Sequence, residues 1–215
     1  MFDDLVVYKD KLQCLSESAM CDEAIEILED NHLRCTPILD QTNTMYRGNI
    51  YRYHIYQYKY HHPDSDLSKI PVTRFLKNST RVFRQNDHFY RLFFAMKDLP
   101  YLAVIDENNA FVGVIPHDNL IDFLAQAWAI NRAGYILFVK SMGKRGDLNR
   151  LARIINRYSD ISSSMFLDRT DYRTHAMSIF VLPEDVDKIQ INQLVKYLSR
   201  KDIEHQLYDL QSNKI

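Results

Sequence analysis

Two stretches of this chain share one pattern of apolar and polar positions. Residues 35–50, CTPILDQTNTMYRGNI, run apolar as far as Asp40, turn through polar residues and return through a second run that carries Gly48. Residues 101–115, YLAVIDENNAFVGVI, repeat this with Asp106 and Gly113 in the matching places; the aspartates are 66 positions apart and the glycines 65. Two short apolar runs joined by a polar turn predict a β-hairpin. Each hairpin follows an amphipathic helix. Ala24, Ile25, Leu28 and Leu33 lie opposite Glu23, Glu26, Glu29 and Asp30, and Leu92, Phe93 and Met96 face inward from a helix over about 87–97. After the second hairpin, Leu120, Ile121, Leu124, Ala127 and Trp128 form one stripe of a helix over 118–128. Residues 51–60 alternate as a strand would, but the repeat decides for a helix that ends before Pro63. Residues 12–15 are expected to lie extended against the first copy. One helix–hairpin–helix unit is thus written twice, which directs the search for function to the cleft between the copies.

Beyond Gly134 the pattern changes. Tyr135–Val139 reads as a strand, GKRGD (143–147) as a glycine-bounded turn, and Leu148, Leu151, Ala152 and Ile155 as one face of a helix. Strands are expected over 162–167 and 176–182, joined by the polar hairpin Asp168–Thr174. A helix carrying Ile191, Leu194, Val195 and Leu198 and a last strand over 203–210 follow. That order is β-α-β-β-α-β, the ferredoxin-like split arrangement. The fold class is therefore α/β (α+β), with domains expected over 1–66, 67–130 and 134–215.

Composition narrows the function classes. At 215 residues with 46% hydrophobic and 26% charged residues, the chain has the length and make-up for a real core. A net charge of −1 gives no global electrostatic case for nucleic acid or an anionic membrane as partner. The first residues are charged and mixed, so no signal peptide is expected, and no apolar run approaches the roughly 18 residues of a membrane span. Three cysteines, Cys14, Cys21 and Cys35, without CxxC spacing argue against a disulfide framework or a zinc ribbon and for a reducing cytoplasm.

The two hairpin units, each an apolar strand ending in Asp, a turn and a strand with Gly between flanking helices, resemble CBS domains, which occur in tandem as Bateman modules. The C-terminal unit, with Gly146-Asp147-Leu148 at its first strand-to-helix turn, is similar to an ACT domain. The order CBS–CBS–ACT is similar to small bacterial proteins that include cyclic-di-AMP-binding proteins of Gram-positive bacteria and the acetoin-utilisation accessory family. The resemblance implies ligand sensing rather than catalysis. It implies an adenine nucleotide (cyclic-di-AMP foremost, or AMP or ATP) between the CBS copies, and a homodimer in which the CBS pairs form a disc. It implies too an ACT part that binds an amino acid or dimerises, and a protein partner not identified by the sequence. No cofactor and no metal are expected.

In nucleotide-binding CBS domains the glycine strand is followed by Thr or Ser and, three residues later, by Asp or Asn. Those positions are Tyr51 and His54 in the first copy and Pro116 and Asn119 in the second, so only Asn119 keeps the pattern. Tyr51 still offers a hydroxyl and a stacking face, His54 a donor, and Asn119 bonds two hydroxyls at once. A cyclic dinucleotide has its ribose 3′ oxygens tied into phosphodiesters, so the departures weigh less against cyclic-di-AMP than against ATP. Asp118 stands beside Asn119. Arg34, Lys97 and Arg84 are candidates to reach phosphate at the cleft mouth, against the plainer reading as solvated charges. Backbone groups of Cys35, Thr36, Leu102 and Ala103 are candidates to read the adenine edge, against plain core packing. The two clefts are expected to differ.

Three further features are weighed. Tyr56, Tyr58, Tyr60, His61 and His62 suggest RNA stacking or a metal. With only Lys59 and Arg52 nearby and no ligand spacing, packing on a neighbour or across a dimer is the better account. The GKRG turn lacks the P-loop pattern; Gly146 and Asp147 mark a possible effector turn, with Asp147 expected to N-cap the helix. Asp168, Arg169, Asp171 and Arg173 read as a solvated hairpin tip, and no nucleophile–base signature appears, so the chain is not expected to be an enzyme. The competing readings are a CBS–ACT interaction or dimerisation protein with decayed nucleotide sites, and an amino-acid sensor.

Overall fold

The computed structural model describes residues 3–141, 144–167 and 176–211. The chain divides into two compact units, Met1–Leu120 and Ile121–Ile215.

The first unit contains β1 (Val7–Tyr8), β2 (Leu15–Ser16), α1 (Cys21–Asp30), β3 (Cys35–Leu39), β4 (Tyr46–Tyr51), α2 (Arg52–His61), β5 (Val82–Arg84), α3 (Phe89–Met96), β6 (Tyr101–Ile105) and β7 (Phe111–Pro116). Then α4 (His117–Ala127) begins, and the division between the units falls inside it. One sheet has the order β2-β3-β4 and the other β1-β7-β6-β5. In both, a short strand runs parallel to the first strand of the hairpin, Leu15 beside Ile38 and Val82 beside Ala103, with a helix in the crossover. Both hairpins lie where the sequence pattern puts them. The alternating stretch after Gly48 is indeed helical, as the repeat requires, although Ile55 is its one buried residue.

The repeated aspartates hold the hairpin turns. Asp40 Oδ1 accepts the Thr44 and Met45 amides at 2.6 and 2.8 Å, and Thr42 Oγ1 donates to Oδ2 at 2.6 Å. Asp106 Oδ1 accepts the Asn108 and Ala110 amides, each at 2.8 Å. The repeated glycines answer a different need, which involves the other copy. The N-terminal strand β1 crosses to the second copy and pairs with β7, Val7 opposite Val114 and Tyr8 opposite Gly113. Lys77, on the approach to the second copy, pairs back onto Asn49 of the first, with amide-to-carbonyl bonds of 2.8 and 2.9 Å in both directions. Each glycine thus lies under the approach segment of the opposite copy, and a Cβ on either would press into that segment's carbonyl.

Leu28, Ile38, Ile50 and Ile55 form the core of the first copy, completed by Val72 from the segment that leads to the second. Leu39, Ala103, Phe111 and Val114 join strands from both copies in a shared core, with Val7 and Leu12 packed on it. Burying a side chain of this size contributes about 1.5–3 kcal/mol, so the apolar runs of the hairpins also hold the copies together.

The second unit continues with β8 (Ala133–Ser141), α5 (Asp147–Ile155), β9 (Ser163–Leu167), β10 (Ala176–Pro183), α6 (Lys188–Arg200) and β11 (His205–Asp209). Its strands pair antiparallel in the order β11-β8-β10-β9. Element order and strand order together make the ferredoxin-like split fold. Tyr135, Leu137 and Val139 alternate inward from β8 onto Leu151, Ile155, Leu194 and Leu198 of the helices.

Several expectations are corrected. The segment 12–15 does run to the first copy, with Leu12 extended and Leu15 beside Ile38, but an unexpected strand, Val7–Tyr8, precedes it, separated by a 3-10 turn over Lys9–Lys11. Asp147 does not cap its helix. Gly146, at φ +85°, is the N-cap, and Asp147 is the first helical residue with its carboxylate turned inward. Asp187 does cap, accepting the Ile189 amide at 2.8 Å. In the stripe expected for α4, Leu120 is buried while Ile121 and Trp128 are substantially exposed, and Trp128 follows the helix end. The tip Asp168–Thr174, with Arg169, Asp171 and Arg173, lies outside the described residues, as does Gly143 of the GKRG turn.

Candidate functional site

Between the two copies opens a cavity of about 450 Å³. Lys11–Gln13 and Asn31–Pro37 form one wall, and Pro100, Tyr101, Val114 and Pro116 the other. The sequence candidates Arg34, Cys35, Thr36 and Pro116 therefore come together in one place. Thr36 is buried, and its Oγ1 donates to the Gln13 carbonyl, which ties the N-terminal segment to the wall. Cys35 is nearly buried; desolvation pushes its thiol up to about 11, opposed by weaker contributions from Tyr101 and Arg34. Arg34 is exposed at the mouth, and its carbonyl accepts the Arg52 amide at 3.1 Å. Asn119 is turned to the N-terminal segment: its Nδ2 donates to the Leu5 carbonyl at 3.0 Å.

The position related to this cavity by the repeat is arranged differently. Tyr51 Oη accepts from Asn78 Nδ2 at 2.7 Å. Asn49, buried to 1% exposure, accepts at its Oδ1 from the hydroxyls of both Tyr46 and Tyr101, each at 2.8 Å. Burial pushes the Tyr46 and Tyr101 hydroxyls up, so both stay protonated donors. The polar groups of the Tyr51 position are thus joined to a network within the protein. His54 stands beside it, its ring edge-on to Tyr51 at 5.7 Å. Its pKa is lowered, first by desolvation and then by the Lys77 charge, which favours the neutral ring.

A second, wider cavity of about 1250 Å³ opens where Arg34 and Tyr51–Tyr53 face Asp98–Pro100, His117 and Asp118. Asp118 is almost fully exposed and lies 3.7 Å from His117 Nδ1. Arg34 borders both cavities.

The remaining candidates lie elsewhere. Leu102 and Ala103 are interior, at 0% and 1% exposure. Arg84 pairs with Ile105 at the turn end of β6, opposite to the Tyr101 end that lines the cavity, and its Nη1 donates to Asn109 Oδ1 at 2.6 Å. Lys97 ends α3, where its carbonyl accepts from Arg81 Nη2 at 2.9 Å. In the second unit Ser141 Oγ donates to Asp147 Oδ2 at 2.6 Å and Arg150 Nη2 donates to Oδ1 at 2.8 Å. Of the α2 tyrosines only Tyr58 packs, stacked on His62 at 4.4 Å and lying under Arg74, while Tyr53, Tyr56 and Tyr60 are exposed and Tyr56 Oη donates to Glu29 at 2.6 Å. Among the described residues, no group of three or more His, Cys, Asp or Glu is placed to hold a metal ion, and no helix is long and apolar enough to cross a membrane.

Sequence reasoning missed Lys11–Gln13 and the Tyr46–Asn49–Tyr101 network. The only advance signal for the network was Asn49 itself, a polar residue between Gly48 and Ile50 at the buried end of its strand.

Solved structures with the same arrangement are known. A CBS domain protein from Streptococcus pneumoniae aligns with a TM-score of 0.53 at 17% identity, over 57% of this chain and 85% of that one. CbpB from Streptococcus agalactiae aligns with a TM-score of 0.52 at 16% identity, over 58% and 79%. Listeria monocytogenes CbpB in complex with c-di-AMP aligns with a TM-score of 0.52 at 15% identity, over 60% and 97%. The fold is that of a tandem CBS pair. In each copy the residue that ends the glycine strand, Tyr51 or Pro116, sits at one of the two cavities just described. No protein-family model matches the chain, and no curated protein sequence matches it.

Proposed function

We propose that this protein senses an adenine nucleotide, cyclic-di-AMP first and AMP or ATP otherwise, in the cavity between its CBS copies and signals the occupancy to a protein partner. The observation that carries this reading is the 450 Å³ cavity that gathers Arg34, Cys35, Thr36 and Pro116 from both copies. Its size is in the range of small-molecule sites. Two of the structures that share the fold, CbpB proteins, hold c-di-AMP, which supports the choice of ligand. In this reading the chain is regulatory rather than catalytic and works in the cytoplasm as a homodimer. The CBS copies are 1–66 and 67–130, and residues 134–215 act as an ACT-like unit. A ligand that bridges both copies favours one arrangement of them by its differential affinity.

A second reading, an interaction or dimerisation protein with decayed sites, draws on the closed Tyr51–Asn78 bond and on Asn119 turned to Leu5. A thermal-shift series on the whole chain separates the two. Cyclic-di-AMP at about one hundred times its dissociation constant raises the melting temperature by roughly 5–10 °C, and Arg34→Ala reduces that rise. No shift from cyclic-di-AMP, AMP or ATP overturns the first reading and leaves the second.

A further inference from the structure

The ferredoxin-like unit carries a groove that the CBS reading does not use. It has a volume of about 440 Å³ and lies between the exposed face of α5 and the C-terminal end of α6. Arg150, Arg153 and Arg157 stand at i, i+3 and i+7 along one side, and Lys201 and Tyr197 stand on the other. None of the described side chains that line it is acidic. Arg150 and Arg153 lie on α5 and Arg157 two residues past its end, so helix and turn together present the three guanidinium groups to one groove.

The groove is also held in shape. Arg150 is fixed from behind by Asp147, a carboxylate only 9% exposed, which accepts Nε at 3.2 Å and Nη2 at 2.8 Å and is itself held by Ser141. Among the described residues no carboxylate lies within ion-pair reach of Arg153, Arg157 or Lys201. At the open end, a Cβ built on Gly146 would meet no atom within 4 Å. Opposite charge is concentrated here: residues 121–215 carry 14 Lys and Arg against 11 Asp and Glu, while residues 1–120 carry 13 against 17.

Four cations around one concave volume match a compact anion with several charges, and guanidinium groups pair with phosphate oxygens two at a time. A nucleic-acid strand needs an extended basic track with a series of stacking rings; this groove has one lining ring, Tyr197. We propose that the groove between α5 and α6 binds a compact polyphosphate anion, as inorganic polyphosphate or as the phosphate tail of a nucleotide.

The test is calorimetric titration of the full chain with sodium tripolyphosphate and, separately, with ATP, at about 50 and 200 mM salt. Both Arg153→Gln/Arg157→Gln and Lys201→Gln alter exposed side chains, and circular dichroism verifies that they fold. Saturable tripolyphosphate binding that weakens about tenfold or more in the double variant and falls steeply with salt supports the proposal. ATP binding no tighter than tripolyphosphate identifies the bare anion as the source; ATP binding tighter and weakened equally by the double variant identifies a nucleotide. Arg34→Ala leaves tripolyphosphate binding unchanged, and ATP binding that survives Arg34→Ala but falls in the double variant belongs to this groove, which keeps it distinct from the cavity bordered by Arg34. Three results overturn the proposal: no saturable binding of either probe, binding that the variants do not alter, or single-stranded RNA bound while both small anions fail.

Discussion

A Cβ placed on Gly113 would lie 2.3 Å from the carbonyl oxygen of Val7, more than one hundred residues earlier in the chain. The neighbouring contact is Tyr8 Cα at 2.9 Å, so only main chain stands in the way. The equivalent glycine, Gly48, meets the Lys77 carbonyl at 2.9 Å and has φ +150° besides. The two glycines that reveal the repeat are therefore the points where each copy accepts the approach segment of the other.

Gly113→Ala has no cheap relaxation, because backbone must move. Overpacking of this kind costs about 1–3 kcal/mol or more, a loss of several degrees in melting temperature. Removing residues 1–8 takes away the obstructing strand. In that shortened chain the same substitution is expected to cost little further, which urea denaturation of all four proteins checks. Full additivity of the two changes would sink this account of the glycine.

Asn49 makes a second prediction. Its one side-chain oxygen receives the hydroxyls of Tyr46 and Tyr101. Asn49→Ala takes that acceptor from Tyr101 and leaves Tyr46 only its longer bond to the Asn78 carbonyl at 3.4 Å, at a cost of about 1–3 kcal/mol for a buried group left unpaired. Tyr101→Phe removes one donor and leaves Asn49 still bonded to Tyr46, so its expected cost is smaller, about 1 kcal/mol. A double-mutant cycle between the two positions should show coupling; independent effects would contradict the shared-acceptor geometry.

Asp40 predicts the acid limb of stability. The Thr42 hydroxyl first, then the Met45 and Thr44 amides, hold its carboxyl down to about 2. Asp66, held by Ser68 and Lys69, is also lowered to about 2. Unfolded, both return to near 4, so between about pH 4 and 2 the unfolded chain binds more protons. Stability from these groups is complete above pH 4 and is lost as pH falls through 2. Urea midpoints measured from pH 6 to 2.5 should fall less steeply in Asp40→Asn than in the parent; equal slopes would remove Asp40 from the acid limb.

How much of this was legible in the sequence follows from which residues act locally. Asp40 and Asp106 act within four or five positions of themselves, so their pattern reads directly as a turn. Helix faces and the βαββαβ order are also local, and the repeat settled the helix of α2 where alternation pointed to a strand. The exchange of Val7 and Lys77 between copies is a long-range pairing of short segments without periodicity, and nothing local marks it. The same holds for the cavity: Arg34, Cys35 and Thr36 follow from the repeat, whereas Lys11–Gln13 reach it only because β1 crosses to the other copy. Asp147 was misplaced for a local reason. Glycine at φ +85° occupies the cap itself, which frees the aspartate to turn inward to the Ser141 hydroxyl.

The thiols give the last prediction. Burial is the largest cause that pushes Cys14, Cys21 and Cys35 up to about 11 each. Because the thiolate is the nucleophile, only about one thiol in a thousand is reactive at pH 8 in the native protein. Alkylation by iodoacetamide should therefore be slow at pH 7.5, rise about tenfold per pH unit up to pH 10, and become fast in urea at any of these values. Ionisation also favours the unfolded chain, whose thiols titrate near 8.5. Stability from these three groups is complete below that value and is lost as pH rises through 11. Cys35 adds a discrimination, since it lines the cavity. Cyclic-di-AMP bound there should slow its labelling further while Cys21, buried in the core of the first copy, changes only with global stability. Equal protection of both thiols would indicate stabilisation without occupancy of the cavity, and rapid native labelling of Cys35 at pH 7.5 would refute its burial.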